Sequence, residues 1–254
     1  MSGDGELIVT HSSLLQPVMY KDTKCMLKMA LADEEHRGNS LMLWYDGNAV
    51  ATVLRHAENA LLMERAMGSC SLIEMSKSGG DDDASRIICS TVAKLHVQKG
   101  PYPNELVPLD TWFKDLQPAA AKYCGVFVQY SEIASKLLSE PVDQVILHGD
   151  IHHGNILDFG TKGWLAIDPK GLFGERGFDY ANLFCNPDVA TATKPGRLVQ
   201  QVKVVSAEAG LDPKRLLQWI AAWAGLSAAW SMDDAVSAEP ALTVAEMALL
   251  ALQQ

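Results

Sequence analysis

Two stretches of polar residues decide the interpretation of this chain: residues 148–155, which read His-Gly-Asp-Ile-His-His-Gly-Asn, and residues 164–170, which read Trp-Leu-Ala-Ile-Asp-Pro-Lys. Each adjoins a short apolar run that is typical of a strand. If the two strands lie side by side, Asn155 and Asp168 come together, and carboxylate and amide oxygens are ligands that hard divalent cations prefer. Asp150 would then stand nearby, where it can accept a proton from a hydroxyl group. This arrangement is typical of phosphoryl transfer.

Two other interpretations of these residues remain open. His148, His152 and His153 could bind a metal, but the His-Glu-x-x-His spacing of a zinc site is absent. We expect these histidines instead to hydrogen-bond the loop backbone. The aspartates and the asparagine could also be ordinary turn residues, because Asp and Asn are common in loops.

The first stretch, with its pattern His-Gly-Asp-x-His-x-x-Asn, resembles the catalytic loop of the aminoglycoside phosphotransferase superfamily, which is itself similar to that of the protein kinases. Ile167-Asp168-Pro169 resembles that superfamily's equivalent of the Asp-Phe-Gly motif. The resemblance is closest to the aminoglycoside 6-phosphotransferases and hydroxyurea phosphotransferases, and it extends over most of the chain. The other segments that carry it are residues 163–175, 177–184, 212–219 and 224–230.

The resemblance implies an α+β, protein-kinase-like fold of two lobes, and the hydrophobic patterning agrees with it. We expect a small antiparallel-sheet lobe that binds nucleotide over residues 1–66, with the hinge at its end. A larger helical lobe over residues 67–254 would carry the catalytic loop and the acceptor site. The patterning predicts strands at 6–10, 14–20, 25–30, 49–54, 60–64, 144–147 and 164–167, with a hairpin turn at 21–24. It predicts helices at 33–44, 86–97, 119–138, 195–209, 213–230 and 241–254, and a polar loop at 76–85.

The resemblance also implies roles for individual residues of the catalytic loop. Asp150 corresponds to the catalytic base, and Asn155 and Asp168 correspond to the ligands of Mg²⁺. ATP and Mg²⁺ are therefore the implied cofactors.

In the small lobe, Lys28 resembles the strand lysine that holds the α- and β-phosphates. Glu35 is the best match to the helix carboxylate that pairs with this lysine, and its neighbour Glu34 is the alternative. On its own, Lys28 would be interpreted as a surface lysine at a sheet edge.

Two further segments resemble parts of a nucleotide site. Residues 61–66 look like the hinge, where the backbone of Glu64 and Ala66 would hydrogen-bond the adenine edge; a plain core strand ending in a turn would read similarly. Residues 10–13 (Thr-His-Ser-Ser) replace the usual glycine-rich loop, so the hydroxyls and amides of Ser12 and Ser13 would contact the phosphates.

Acidic residues outnumber basic ones by 31 to 21, which gives a formal net charge of −10. A chain this acidic lacks the basic surface that nucleic-acid phosphates require, so we expect no nucleic-acid partner. The same balance suits a cationic acceptor such as an amino or guanidino sugar. The resemblance places part of the region after the catalytic loop on the acceptor side, so we expect Glu175, Asp179 and Asp233 there, with Asp188 and Asp234 as further candidates. Each could instead be solvated surface, and Asp179 could tie down the catalytic loop.

Several features place the chain among intracellular proteins. No stretch is long and apolar enough to span a membrane, and the first residues lack the pattern of a secretory signal. The five cysteines are never spaced as Cys-x-x-Cys, which is typical of reduced thiols. We expect a cytoplasmic protein with no membrane partner; its oligomeric state is not determined by the sequence.

The predicted function is transfer of the γ-phosphate of ATP to a hydroxyl of a streptomycin-type aminoglycoside, which would confer resistance to the antibiotic. The alternatives are a kinase of another small metabolite alcohol on the same fold and a nucleotide-binding pseudokinase. The short small lobe without a glycine-rich loop favours the pseudokinase. The intact set of Asp150, Asn155 and Asp168 opposes it.

Overall fold

The computed structural model describes residues 1–97, 100–103 and 105–253. The strands are β1 Ser2–Gly3, β2 Ile8–Val9, β3 Ser13–Tyr20, β4 Thr23–Ala30, β5 Val53–Ala57, β6 Ala60–Glu64, β7 Val107–Pro108, β8 Gln144–Leu147, β9 Ile156–Asp158, β10 Trp164–Ala166 and β11 Leu172–Glu175. The α-helices are α1 Asp33–Tyr45, α2 Leu72–Lys77, α3 Asp81–Leu95, α4 Leu109–Trp112, α5 Leu116–Tyr123, α6 Val126–Ser139, α7 Val189–Ala192, α8 Arg197–Ala209, α9 Pro213–Asp233 and α10 Glu239–Ala251. Short 3-10 helices lie at Gly160–Lys162, Arg176–Tyr180 and Asn182–Cys185. Within the described residues, no helix is long and apolar enough to cross a membrane.

The N-terminal residues form an antiparallel sheet with the strand order β1-β3-β4-β6-β5, and β2 pairs with β3. The hairpin predicted at residues 21–24 is confirmed: Tyr20 pairs with Thr23, and Lys21 and Asp22 form the two-residue turn with positive φ angles of 47° and 63°. Positive φ at both central residues matches the right-handed twist of the flanking strands. The register places Lys28 on β4 between Leu15 and Leu61.

Helix α1 follows β4, as predicted, but the strand predicted at 49–54 is wrong in position. The observed strand β5 begins at Val53 and its residues are mostly exposed. Residues 49–51 are buried instead: Val50 forms a single parallel bridge to Ala166, and Ala51 donates its N–H to the Ala166 carbonyl. An apolar run of residues looks the same in a sequence whether it forms a strand of the sheet or, as here, a single bridge to β10.

The polar loop predicted at 76–85 is also wrong, because most of it is helical. Helix α2 continues to Lys77, and α3 begins at Asp81 with three aspartates in its first turn. Negative side chains stabilise a helix N-terminus through the helix dipole, so this acidic run is a helix-start signal. Asp81 also accepts hydrogen bonds from two guanidinium nitrogens of Arg197, Nε at 2.7 Å and Nη2 at 3.1 Å.

The strands around the catalytic loop pair differently from the expectation. β8 pairs with β11, and β10 pairs with β9, a strand that was not predicted. Asn155 immediately precedes β9 and Asp168 follows β10, so the β9–β10 hairpin brings the two residues to the same end, with Ile167 donating its N–H to the Asn155 carbonyl at 2.9 Å. The juxtaposition was therefore predicted correctly, but from the wrong pair of strands.

The C-terminal part of the chain is mostly helical, and one cluster of buried hydrophobic side chains joins it to α1 and β6. The helix predicted at 119–138 is divided into α5 and α6 at Cys124 and Gly125, which both have positive φ angles. Helix α9 packs against α6 and α10. At Gly225 on α9, a Cβ atom would lie 2.6 Å from the Tyr130 ring, so only glycine permits this close approach. Gln254, the last residue of the helix predicted at 241–254, lies outside the described residues.

Candidate active site

Asp150 is held by amide groups on both of its carboxylate oxygens. Asn155 donates its Nδ2 to Asp150 Oδ2 at 3.2 Å and to the Asp150 carbonyl at 2.9 Å. Asn182 donates its Nδ2 to Asp150 Oδ1 at 2.8 Å. These bonds fix the orientation of the carboxylate, which is half-buried and lines a cavity of about 720 Å³. A carboxylate oriented towards an open cavity can accept a proton from a bound hydroxyl group.

The loop that carries Asp150 is anchored by Asp179, whose side chain is fully buried. Asp179 accepts hydrogen bonds from the backbone N–H groups of His148 at 2.9 Å and Gly149 at 2.7 Å, and its Oδ2 lies 2.8 Å from His96 Nε2. The structure therefore places Asp179 beneath the loop, as in the alternative interpretation of this residue. It does not line the cavity beside Asp150.

Two of the three histidines hydrogen-bond the loop backbone, as expected. His148 Nδ1 accepts from the Asp150 N–H at 3.2 Å, so its Nε2 carries the proton donated to the Ile167 carbonyl at 2.8 Å. His152 Nδ1 accepts from the Gly154 N–H at 3.0 Å. His153 is buried without a hydrogen-bond partner among the described residues. Burial lowers the pKa of all three side chains, to about 4 for His153, so they are neutral near pH 7.

Lys28 is the centre of a buried charge cluster at the boundary between the sheet and the catalytic loop. Its Nζ forms ion pairs with Glu35 and Asp168, and both Lys28 and Glu35 are at most 5% exposed. Glu34 instead contacts Lys170, at 2.9 Å. The structure thus brings Lys28 together with Glu35 and not with the alternative. Two groups accompany this cluster: Ser12 donates its hydroxyl to Glu35 at 2.7 Å, and Lys170 lies 3.3 Å from Glu35.

Opposing effects act on the pKa values within this cluster. Burial alone would raise the pKa of Asp168, but Lys28 and Lys170 outweigh it and lower the pKa below its usual value. Burial alone would lower the pKa of Lys170, but Asp168, Glu34 and Glu35 raise it. Asp168 is therefore ionised near pH 7 and can bind a cation.

Asn155 and Asp168 both line a second cavity, of about 640 Å³. Their side-chain oxygens are the hard donors that Mg²⁺ prefers. No group of three or more His, Cys, Asp or Glu side chains suited to a metal occurs in the described part of the chain. A magnesium ion would therefore need the phosphate oxygens of a nucleotide and water to complete its coordination, as in kinase sites. The donor set fits that situation.

This second cavity lies between the sheet and the β9–β10 hairpin. Apolar side chains that can enclose an aromatic ring contribute to its walls: Leu15, Met26, Met63, Leu157, Phe159 and Ile167. Lys28, Asn155 and Asp168 stand in the same cavity, so an aromatic base and its phosphates have matching surroundings.

The residues predicted to recognise adenine and phosphate also border this second cavity. The N–H of Glu64 donates to the Thr52 carbonyl at 3.0 Å, so this N–H is not available to an adenine. Ser12 and Ser13 line the cavity, but their hydroxyls already contact Glu35 and Thr10, at 2.7 and 3.0 Å.

Two of the acidic residues expected on the acceptor side lie elsewhere. Glu175 is 4% exposed and its carboxylate is bound by Arg215, by the Trp219 indole at 2.7 Å and by the Val142 N–H at 3.0 Å. Asp233 is exposed and pairs with Lys122 at 2.7 Å. Neither lines the cavity beside Asp150, whereas Asp234, the next residue, does.

Sequence reasoning missed Asn182 and Lys170. Asn182 ends the motif Gly-Phe-Asp-Tyr-Ala-Asn of residues 177–182, and Lys170 follows Asp168-Pro169 directly. Both segments were recognised, so the signal was present. The sequence does not show that Asn182 hydrogen-bonds Asp150 or that Lys170 pairs with Glu34 on helix α1.

Comparison with known proteins agrees with this geometry. The family model for the aminoglycoside/hydroxyurea antibiotic resistance kinases matches residues 1–235. A streptomycin 3''-kinase of Klebsiella pneumoniae is 48% identical over 236 residues, which cover 91% of this chain and 88% of the relative. A streptomycin 6-kinase of Streptomyces glaucescens is 27% identical, with 98% of this chain and 85% of the relative covered.

Solved structures confirm the predicted fold. A thermostable mutant of aminoglycoside phosphotransferase APH(4)-Ia, in a ternary complex with AMP-PNP and hygromycin B, matches with a TM-score of 0.64 at 15% identity over 98% of this chain and 93% of that one. A choline kinase of Cryptosporidium parvum matches with the same TM-score at 13% identity, covering 96% and 87%. The α+β protein-kinase-like fold is therefore established, and with the match of the family model over nearly the whole chain, the protein belongs to the aminoglycoside/hydroxyurea antibiotic resistance kinase family.

Proposed function

We propose that this protein transfers the γ-phosphate of ATP to a hydroxyl group of streptomycin and thereby confers resistance to it. The observation that carries the proposal is the 48% identity to a streptomycin 3''-kinase over 91% of the chain. Two streptomycin 6-kinases, at 27% and 28% identity, support the same acceptor. The amide-oriented Asp150 at a cavity of about 720 Å³ provides a base where such an acceptor would bind.

The residues of the two cavities divide the work of phosphoryl transfer. Asp150 accepts the proton of the acceptor hydroxyl as that oxygen bonds to the γ-phosphorus, while the bond between the γ-phosphorus and the β–γ bridging oxygen breaks and ADP leaves with its electron pair. Lys28, fixed by Glu35, neutralises charge on the nucleotide phosphates. Asn155 and Asp168 would hold a magnesium ion, which would neutralise charge on the nucleotide phosphates. Residues 1–66 form the nucleotide lobe in this proposal.

The finer assignment concerns the hydroxyl that is phosphorylated. The sequence motifs resemble those of the 6-phosphotransferases, but the 3''-kinase is the more similar of the two relatives, at 48% against 27% identity. We therefore propose the 3''-hydroxyl as the acceptor.

The experiment that tests the proposal is identification of the product. The purified protein is incubated with ATP, MgCl₂ and streptomycin, and the product is analysed by mass spectrometry and by phosphorus–proton coupled NMR. We expect one added phosphoryl group, coupled to the proton at the 3'' position. Coupling at position 6 would refute the regiochemistry alone, and phosphorylation of a neutral alcohol without any reaction of streptomycin would refute the acceptor. Expression in a susceptible bacterium should raise the inhibitory concentration of streptomycin.

A further inference from the structure

The cavity beside Asp150 has a wall of tryptophan side chains. Trp112, Trp223 and Trp230 all line it. Trp230 packs edge-to-face against both others, with ring centroids 5.5 Å from Trp112 and 5.7 Å from Trp223. Trp219, on the same helix, is by contrast buried in the core at 1% exposure. Trp112 and Trp230 are partly exposed and Trp223 is only 8% exposed, so it is chiefly Trp112 and Trp230 that present aromatic surface to the cavity.

Two carboxylates accompany this wall, and one of them is fixed by it. The Trp230 indole donates to Asp115 Oδ2 at 3.1 Å, which orients the Asp115 carboxylate at the cavity. Asp234, directly after the end of α9, lines the same cavity. The Trp112 Nε1 atom is buried and has no hydrogen-bond partner among the described residues.

The overall charge of the lining does not explain cation binding. The cavity is lined by four carboxylates, of Glu34, Asp115, Asp150 and Asp234, and by three cationic side chains, of Arg37, Lys114 and Lys170. Lys170 is already paired with Glu34 at 2.9 Å. Selectivity for a cationic group must therefore come from the local combination of aromatic side chains and carboxylates.

A flat, delocalised cation fits that combination best. A guanidinium group stacks on indole faces and bonds carboxylates in a bidentate manner, whereas an ammonium group is more strongly hydrated and acts as a point charge. Building on the proposed function, we propose that Trp112, Trp230, Asp115 and Asp234 form the subsite that binds a guanidinium group of the streptidine ring of streptomycin.

The tryptophan wall is linked to the catalytic base by hydrogen bonds. Trp223 Nε1 donates to Asn182 Oδ1 at 3.0 Å, and Asn182 Nδ2 donates to Asp150 Oδ1 at 2.8 Å. The wall and the base are therefore held in a fixed relation. A guanidinium group bound at the wall orients the rest of the acceptor relative to Asp150, so the subsite acts on acceptor binding and leaves the nucleotide cavity unaffected.

Conservative variants test the subsite. Asp115→Asn and Asp234→Asn remove the charges and keep the shapes, and Trp230→Phe keeps an aromatic ring but removes the N–H that fixes Asp115. Steady-state kinetics should show the KM for streptomycin raised by about tenfold or more in Asp115→Asn, the order expected when a charge-assisted contact is lost. The KM for ATP should not change. Glu239→Gln, an exposed acidic residue at the start of α10, is the matched control and should behave like the parent protein.

A binding measurement separates this proposal from the proposed function. Calorimetric titration of the parent protein with streptidine, the diguanidino ring alone, should show binding that weakens by about tenfold in Asp115→Asn and Asp234→Asn. If streptomycin is phosphorylated while KM and streptidine affinity stay within twofold of the parent in both variants, the subsite is wrong and the function stands. If streptidine binds with the predicted sensitivity but streptomycin is not phosphorylated, the function is wrong and the subsite stands. No streptidine binding by the parent protein overturns the subsite.

Discussion

Replacing Asp179 by alanine should destabilise the protein strongly, although the residue lies outside both cavities. The substitution leaves the buried N–H groups of His148 and Gly149 without their acceptor, and each unsatisfied donor costs about 1–3 kcal/mol. The expected loss is therefore about 2–6 kcal/mol. In a chain of this size, 1 kcal/mol corresponds to a shift of roughly 2–4 °C in Tm, so Tm should fall by at least about 4 °C.

Differential scanning calorimetry of Asp179→Ala and Asp179→Asn checks this, with streptomycin kinetics measured on the same samples. The asparagine variant keeps one acceptor oxygen and should lose less stability. Asp233→Ala is the control: its side chain is half exposed and pairs with Lys122 at the surface, so Tm should hardly change. An unchanged Tm in Asp179→Ala, together with a raised KM for streptomycin, would show that Asp179 contacts the acceptor and does not anchor the loop.

Three further perturbations have outcomes that follow from the structure. Gly38→Ala would place a Cβ atom 2.1 Å from the Pro169 carbonyl oxygen, so α1 must shift. We expect kcat to fall by about tenfold or more, and a kcat within twofold of the parent would contradict the close contact. Lys28→Ala should lower kcat/KM by at least about tenfold. The loss of kcat/KM in the double variant with Glu35→Ala should be well below the product of the two single losses, because the two side chains act as a pair. A loss equal to that product would mean that the pair does not function together. Because burial lowers the pKa of His153 from about 6.5 in the unfolded chain to about 4, the unfolded state binds the additional proton and stability is lost as pH falls from about 6.5 towards 4. His153→Leu should flatten this decrease of Tm with falling pH, and the same pH dependence in both proteins would argue against a buried neutral histidine.

The cluster of Asp150, Asn155 and Asp168 was predictable because its residues are close in the sequence and match a family motif. The prediction brought Asn155 and Asp168 together although it paired the wrong strands, because both residues flank the β9–β10 hairpin. The choice of Glu35 over Glu34 rested on the resemblance to the family and not on helix geometry, because both side chains reach Lys170, at 3.3 and 2.9 Å, while Glu35 also pairs with Lys28.

The acceptor side was not predictable in the same way. The resemblance and the charges indicated Glu175, Asp233 and Asp234 together, because a glutamate buried against Arg215 and Trp219 and an exposed aspartate look alike in a sequence. What separates Asp233 from Asp234 is the direction in which the end of α9 points them, and this depends on tertiary packing.

The wrong predictions of secondary structure also result from tertiary contacts that the sequence does not show. Residues 49–51 are apolar because they cross between the sheet and the β9–β10 hairpin, and no local pattern distinguishes a single bridge from a strand. The aspartates at the start of α3 were interpreted as loop residues although they also mark a helix N-terminus, and the buried ion pair of Asp81 with Arg197, far along the chain, supports the helical alternative.

The central claim is that Asp150 acts as the base in ATP-dependent phosphorylation of streptomycin. The most direct test measures streptomycin-dependent ADP release by the parent protein and by Asp150→Asn, with the nucleotide affinity of both proteins determined in parallel. The account predicts turnover by the parent only, a loss of at least about a hundredfold in the variant, which is the order contributed by a general base, and nearly equal nucleotide affinities. Turnover in Asp150→Asn within tenfold of the parent would contradict it.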